Sequence, residues 1–513
     1  MRPTGWLAAV AAAKLVLTCI LLYRKRELLL SKLRCSSRDG RALADPAEGY
    51  ELFPIDFSMH AQIRQNVTKS SAAAILVHGG VEVDRYDTDI QYNFHQESFF
   101  QYLFGVREPG CAGLVDLSTG SAVLFVPRLN DEWELWCGDR KPLAYFKAHY
   151  KVDDVFYVDE MAAVLADKLK AKKLFVLHGQ NTDSGLETTT TSTFEGIDQF
   201  EVDRETLHPV LVECRVIKTE KELELLRFVN KLSSRAHVNV MKNIRPGKME
   251  FHAESDFLHY VYSNGGARFH AYTCICGSGH NASAQHYGHA GAPNDKLLED
   301  GDLFLNDMGG ELHCYTADIT CTFPVNGKFT EDQRMLYEGV LKAHDTVMAA
   351  IKPGVSWVDM HILANRVMIE HMLEHKLLQN GTVDEMMRHE VSSYFTPCGL
   401  GHLMGLDVHD VGGFPAGHVR STKRSLRKLR LVRNLEKNMV VTVEPGWYFI
   451  EAQLRIALAD PTISAFINPE VLARFRGTGG VRIESDVVVT ATGVENMTRV
   501  PRTVQEIEIT MSR

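Results

Sequence analysis

Four acidic residues stand where a folded chain tolerates them least. Asp307 ends the run LFLND, Asp318 follows eleven residues later in YTADITC, Glu444 sits in VVTVEPG and Glu484 in VRIES, each within apolar, strand-like text. A single acid of this kind is usually at a sheet edge or in an ion pair. Four buried together without counter-charge would cost several kcal/mol each. A fold that accepts this sequence must therefore bring cations to them. His402, in CGLGHLMG, adds an imidazole where glycines let the backbone approach closely. The Gly309-Gly310 turn is expected to pair the Asp307 and Asp318 segments as a hairpin, so that both carboxylates face one spot. Two divalent cations would balance four carboxylates. Oxygen-rich ligation favours Mn²⁺ or a similar ion over thiolate-bound Zn²⁺, and two metals clamping one hydroxide form a hydrolytic site.

The surrounding text predicts two domains after an N-terminal extension of residues 1–50. In 51–214, AAAILVHGG, SFFQYLFGV and GLVDLSTGSAVLFVPRL alternate strand-like and helical stretches. A hairpin is expected around Thr119-Gly120 and a buried strand in KKLFVLHG, which makes this part α/β. Thr219 with Glu222 forms a capping box, and Leu225, Phe228, Val229, Leu232 and Ala236 recur at helical spacing, so a long amphipathic helix opens the second domain, 215–513. Further helices are expected from Thr330 to the Pro353-Gly354 stop, and from near Ser356 to about His375. DLFLNDMGG, CYTADITCTF, NMVVTVEPGWYFI and VRIESDVVVT read as strands. Helices mixed with long antiparallel strands make the class α+β.

Composition narrows the partners. Fifty-six basic against 65 acidic residues give a net charge of −9, which disfavours sequence-independent nucleic-acid binding. The ten cysteines are scattered without a C-x-x-C pair, as in reduced thiols of a cytoplasmic protein. Residues 6–22 are apolar apart from Lys14 and Thr18. As a helix they would span about 25 Å, short of a ~30 Å hydrocarbon core. Seven basic residues follow between Arg24 and Arg41. Were the segment a membrane anchor, they would hold the remainder in the cytosol; the alternative is a disordered or surface-lying extension.

The order D-x10-D, then H, E and E resembles that of the pita-bread metallopeptidases, which include methionine aminopeptidase, aminopeptidase P and prolidase. The wording of QESFFQYLFGVREPGC, QHYGHAGAPND, ADITCTFPVNGKFT, GLGHLMGLDVHDVGG and GGVRIESDVVVT is most similar to the prolidases, from about residue 51 to the end. The resemblance implies a creatinase-like α/β domain followed by a pita-bread catalytic domain. It also implies metal-dependent hydrolysis of Xaa-Pro and Xaa-hydroxyproline dipeptides, and a homodimer. By the same resemblance Asp307 binds one metal, Asp318 and Glu484 bridge both, and His402 and Glu444 complete the second, with Glu444 also taking the nucleophile's proton. His286 and His409 would hold the peptide and the developing oxyanion, Arg430 the substrate carboxylate, and Tyr272 and Trp136 would line the pocket, Trp136 across a dimer interface. Three departures stand out: Cys398 where the pattern has His, Asn306 beside Asp307, and LEKNM in place of a P-G before Met439. Three other readings remain: an aminopeptidase P acting on longer peptides, a catalytically silent binding protein of the same fold, and a metal-free creatinase-type hydrolase, which would lack the acid set.

Overall fold

The computed structural model describes residues 51–67, 73–189, 192–415 and 417–512. The apolar segment 6–22 lies outside them. Among the described residues no helix is long and apolar enough to cross a membrane.

The N-terminal part is built on a six-stranded mixed sheet of β1 (Ala73–His78), β2 (Ala112–Asp116), β3 (Ala122–Val126), β4 (Asp154–Tyr157), β5 (Lys173–Val176) and β6 (Glu201–Asp203), in the order β4-β3-β2-β1-β5-β6. The expected Thr119-Gly120 hairpin is the antiparallel β2–β3 pair, while β1–β5 and β3–β4 run parallel. The continuous apolar text of β1 follows from burial on both faces: Ile75 and Val77 enter one core cluster, Ala74 and Leu76 another. SFFQYLFGV yields a helix, Ser98–Phe104, stopped by Gly105.

The second part opens with the helix Glu220–Asn243, its Thr219–Glu222 capping box formed and Leu225, Val229, Leu232 and Ala236 buried. The helices Glu331–Ala350 and Trp357–Glu374 begin at their expected caps, Thr330 and Ser356. The strands are shorter than the sequence suggests. They are β7 (Phe269–His270), β8 (Ile275–Ser278), β9 (Leu303–Asp307), β10 (Gly310–Leu312), β11 (Tyr315–Thr316), β12 (Thr320–Pro324), β13 (Val440–Val443), β14 (Gly446–Tyr448), β15 (Gly480–Arg482), β16 (Ser485–Val489) and β17 (Val494–Asn496). They form the small sheets β11-β10-β7, β12-β9-β8, β13-β16-β17 and β14-β15.

The breaks between strands matter for the acids. CYTADITCTF is interrupted at Asp318, NMVVTVEPGWYFI at Glu444 and VRIESDVVVT at Glu484, each between one small sheet and the next. The expected hairpin is also corrected. Strand β9 does pair with β12, with Asp307 opposite Thr320. The chain turns between them through the inserted β10–β11 hairpin, whose turn residues His313 and Cys314 have φ of 51° and 64°. Gly309 is not that turn. It is the point of closest approach: a Cβ there would lie 1.6 Å from the carbonyl oxygen of Ala317.

Candidate active site

Asp318, Glu444 and Glu484 at these breaks converge with Asp307 at the end of β9 and His402 of segment 400–404. Segment 400–404 runs beside β13: Glu444 N–H donates to Leu400 O at 2.8 Å and Thr442 N–H to His402 O at 3.0 Å. Gly401 allows this, since a Cβ would lie 2.1 Å from Thr442 O. The pairing sets His402 beside Glu444, with His402 Nε2 3.5 Å from Glu444 Oε1 and 3.3 Å from Asp318 Oδ2. His402 Nδ1 lies 3.0 Å from Leu403 O. A carbonyl cannot donate, so Nδ1 carries a proton, and Nε2 faces the carboxylates. Thr320, opposite Asp307, donates its hydroxyl to Glu484 Oε2 at 2.6 Å. The side chains of Asp318, His402 and Glu484 each offer a ligand atom within 4.8 Å of the other two, about twice a metal–oxygen or metal–nitrogen bond of ~2.0–2.2 Å.

The electrostatics are those of an anionic cluster short of positive charge. Burial pushes the Asp307 carboxyl up to about 7, with Asp318 and Glu444 adding repulsion against the pull of Arg482. Burial and the neighbouring acids raise Glu484 far above the carboxylate range. Burial likewise raises Glu444, against His402. Burial opposes ionisation of Asp318 too, but hydrogen bonds from His402 and Tyr272 outweigh it and lower its pKa. His402, which burial alone would depress, is raised to about 9 by Asp318 and Glu444. A proton thus occupies the Nε2 position that a metal ion would take.

Arg482, which the sequence reading passed over, is the one guanidinium among the described residues that pairs with the cluster's carboxylates. It is buried, pairs with Asp307, and donates to Thr320 Oγ1 at 3.0 Å and Tyr448 Oη at 2.8 Å. With His402 neutral, as a metal-binding imidazole is, four carboxylates against one guanidinium leave three negative charges. Two divalent cations would reverse that and leave room for one anionic ligand. Oxygen and imidazole donors without a thiolate suit hard cations, so the residues present fit a two-metal centre.

A model of metallopeptidase family M24 matches residues 224–491, and one of the aminopeptidase P N-terminal domain matches residues 60–177. The chain belongs to metallopeptidase family M24. It carries the aminopeptidase P-type N-terminal domain followed by the pita-bread domain, and divalent metal binding goes with that membership. Among M24 relatives, Xaa-Pro dipeptidase of Mus musculus is 53% identical over 451 residues, 88% of this chain and 91% of the relative. A probable Xaa-Pro aminopeptidase of Verticillium alfalfae is 36% identical, covering 82% and 88% of the two chains. Zn-substituted Escherichia coli aminopeptidase P in complex with product superposes with a TM-score of 0.73 at 30% identity, covering 89% of this chain and 98% of that one.

The remaining site candidates of this M24 protein fall into two groups. His409 stacks edge-on to His402, ring centroids 4.5 Å apart, and burial together with the charges of His402 and Arg430 holds its pKa at about 3. His286 is also lowered, by burial and then by Arg430 and Arg482. Tyr272 is closer to the carboxylate cluster than pocket lining implies: its hydroxyl bonds Asp307 and lies 2.6 Å from Asp318 Oδ1. Arg430 lies near enough to lower both histidines and donates from Nη1 to Asp183 Oδ2 at 2.5 Å. Trp136 is the exception. It is 77% exposed on the helix Asp131–Cys137, which buries none of its residues, and no hydrogen bond or ring contact joins it to the cluster.

The departures at Cys398 and in LEKNM have local explanations, whereas nothing in the structure explains Asn306. Cys398 is a partly buried thiol whose pKa burial and Glu444 push up to about 12, so it brings no charge. Asn438 of LEKNM takes the left-handed conformation (φ 68°), which Asn tolerates better than most residues. Asn306 is fully buried, with Oδ1 lacking a hydrogen-bond partner. Sequence reasoning also missed Asp486. Its Oδ2 accepts from the N–H of Asp318 at 2.8 Å, and burial and Asp318 raise its pKa far above the carboxylate range. It and Arg482 are charged residues in apolar text, so the signal that found the ligands was available for both.

Proposed function

We propose that the protein hydrolyses the bond before the C-terminal proline or hydroxyproline of Xaa-Pro dipeptides. Asp307, Asp318, His402, Glu444 and Glu484 hold two divalent cations, Mn²⁺ by preference. The observation that carries this reading is the buried carboxylate cluster, paired among the described residues with one guanidinium, that of Arg482. Bound there, the two ions supply Lewis-acid polarisation and lower the pKa of water.

The chain's own groups do the rest. Glu444, made more basic than a solvated glutamate by burial, accepts the proton of the attacking water. His409 and His286, both lowered in pKa, are neutral near pH 7 and offer N–H donors to the peptide and the developing oxyanion. Arg430 binds the substrate's free carboxylate through parallel N–H bonds. Tyr272 closes the metal side of the pocket. Identity favours the dipeptidase over the aminopeptidase reading, 53% against 36%.

Strong chelation should abolish Gly-Pro turnover and Mn²⁺ restore it, with Gly-Pro-Pro cleaved far more slowly. Unchanged turnover without metal, or preference for the tripeptide, would refute the proposal.

Two properties of the whole protein accompany this function. Leu135 and Trp136, 74% and 77% exposed on one short helix, support a homodimer with Trp136 at its interface. The absence of disulfides among the described cysteines supports a reducing, cytosolic setting.

A further inference from the structure

Asp183 belongs to the N-terminal part of the chain, yet it reaches the segment that carries Arg430. Its side chain is 10% exposed and divided between two guanidiniums. Oδ2 accepts from Arg430 Nη1 at 2.5 Å and Oδ1 from Arg420 Nη2 at 2.7 Å. Arg420 is anchored in turn. Its Nη2 also donates to Asp183 O at 2.8 Å, its Nη1 donates to Leu429 O at 3.0 Å, and its guanidinium lies 4.2 Å over the ring of Phe414. The loop bearing Asp183 is fixed as well: Asn181 Oδ1 accepts from the Asp183 N–H at 2.9 Å, and Thr182 Oγ1 donates to Phe414 O at 3.3 Å.

The contact uses one corner of Arg430. Nη1 is engaged, whereas Nε and Nη2, whose N–H bonds point the same way, donate to no group among the described residues. That edge is the side-on fork that matches a carboxylate. With Asp183 between them, Arg420 and Arg430 together carry one net positive charge, which suits a single carboxylate. The charge of Arg430 is felt at His286 and His409, so the guanidinium lies near the histidines assigned to the substrate.

We propose that Asp183, backed by Arg420, is a specificity-determining positioning residue that aims the Nε/Nη2 edge of Arg430 at the carboxylate of a dipeptide. The proposal rests on Arg430 being the carboxylate anchor. Its consequence is that the N-terminal domain helps set dipeptide selectivity. A long side chain held in its binding rotamer need not be ordered by the substrate, so the benefit falls on binding.

The test compares Gly-Pro with the amide Gly-Pro-NH₂ in the full-length, metal-loaded enzyme. Asp183→Asn should raise KM for Gly-Pro about tenfold, the worth of one charge-assisted contact, with kcat within about twofold. Turnover of the amide should hardly move. In an Arg430→Ala background the same substitution should cause no further loss, because nothing remains to be aimed. Equal loss on both substrates would reduce Asp183 to a structural staple and overturn the proposal. So would an unchanged Gly-Pro/amide ratio, or additivity with Arg430→Ala. If Asp183→Asn does not fold, Arg420→Gln carries the test with the same expected and overturning results. Failure of the unmodified enzyme to cleave Gly-Pro would overturn the proposed function and this inference together; normal cleavage that ignores Asp183 and Arg420 would overturn the inference alone.

Discussion

Arg215, Lys218 and Asp410 are 2%, 1% and 5% exposed, and Asp307, Asp318, His402 and Glu484 are 7%, 5%, 3% and 2% exposed. Most charges of the two clusters are buried alike, although the side chain of Asp407 in the first is 41% exposed and that of Glu444 in the second 17%. Only the first cluster is balanced by the chain. Arg215 Nη2 donates to Asp410 Oδ1 and Asp407 Oδ2, each at 2.6 Å, and Lys218 Nζ donates to Asp410 Oδ2 at 2.9 Å. Two cations meet two carboxylates. Asp410 is therefore lowered in pKa despite its burial, through Lys218 and Arg215. In the second cluster one guanidinium faces four carboxylates, and the pKa values of Asp307, Glu444 and Glu484 rise. A balanced ion network keeps its buried charges paired without an outside ion, so that removing one partner is costly. An open one stores repulsion that an external cation relieves, which is how a site for divalent metal can be written into a core.

The largest effect separating the two clusters is on metal. Asp318→Asn should lose more metal affinity than the roughly 10- to 100-fold typical of an outer hydrogen-bond partner, with activity lost alongside. His409→Ala should keep its metal and lose turnover. Elemental analysis of both variants decides, and equal metal loss would show that the roles are misassigned.

Breaking the balanced cluster should act on stability instead. Asp410→Ala leaves Arg215 and Lys218 buried with too little counter-charge, a change that costs about 3–5 kcal/mol. The cost should be the same with and without metal, as read by denaturant unfolding. A cost that disappears on metal loading would couple the two clusters.

Substrate charge provides the next contrast. Arg430→Ala should weaken kcat/KM for Gly-Pro by roughly 2–5 kcal/mol, or about 30- to 5000-fold, and far less for Gly-Pro-NH₂. An unchanged ratio of the two substrates would remove Arg430 from carboxylate recognition.

The smallest effect is on pH dependence. In the metal-free chain Asp307 titrates near 7 rather than at its ordinary 3.8. The folded state then binds more protons than the unfolded state across that window, so its stability should fall as pH rises from about 4 to about 7. Asp410 has the opposite sign: its contribution is present above 3.8 and lost as pH falls below it. Mn²⁺ should therefore raise the melting temperature more at pH 7.5 than at pH 5.5. An equal rise at both would contradict the repulsion argument.

Much of this was legible in the sequence, for identifiable reasons. Acids in apolar runs betray themselves one at a time, so Asp307, Asp318, Glu444 and Glu484 could be singled out. The capping boxes at Thr219 and Thr330 are local, and so were readable. Strand breaks were not. Asp318, Glu444 and Glu484 sit where the chain changes sheet, a consequence of tertiary pairing that apolar text does not encode. The β10–β11 insertion was missed because Gly309-Gly310 looks like a turn, whereas the real turn uses His313 and Cys314 in left-handed conformations. Long-range ion pairs such as Arg215–Asp410 and Asp183–Arg430, separated by 195 and 247 residues, leave no local trace. Arg482 and Asp486 were the avoidable omissions, since both stand in the same run as Glu484.

Metal stoichiometry tests the central claim most directly. Chelated protein would be titrated with Mn²⁺ while bound metal, melting temperature and Gly-Pro turnover are followed together. The account predicts saturation at two ions per chain, a rising melting temperature, and full activity only when both are bound. Full turnover in the metal-free chain, or saturation at two ions with no gain in stability, would contradict it.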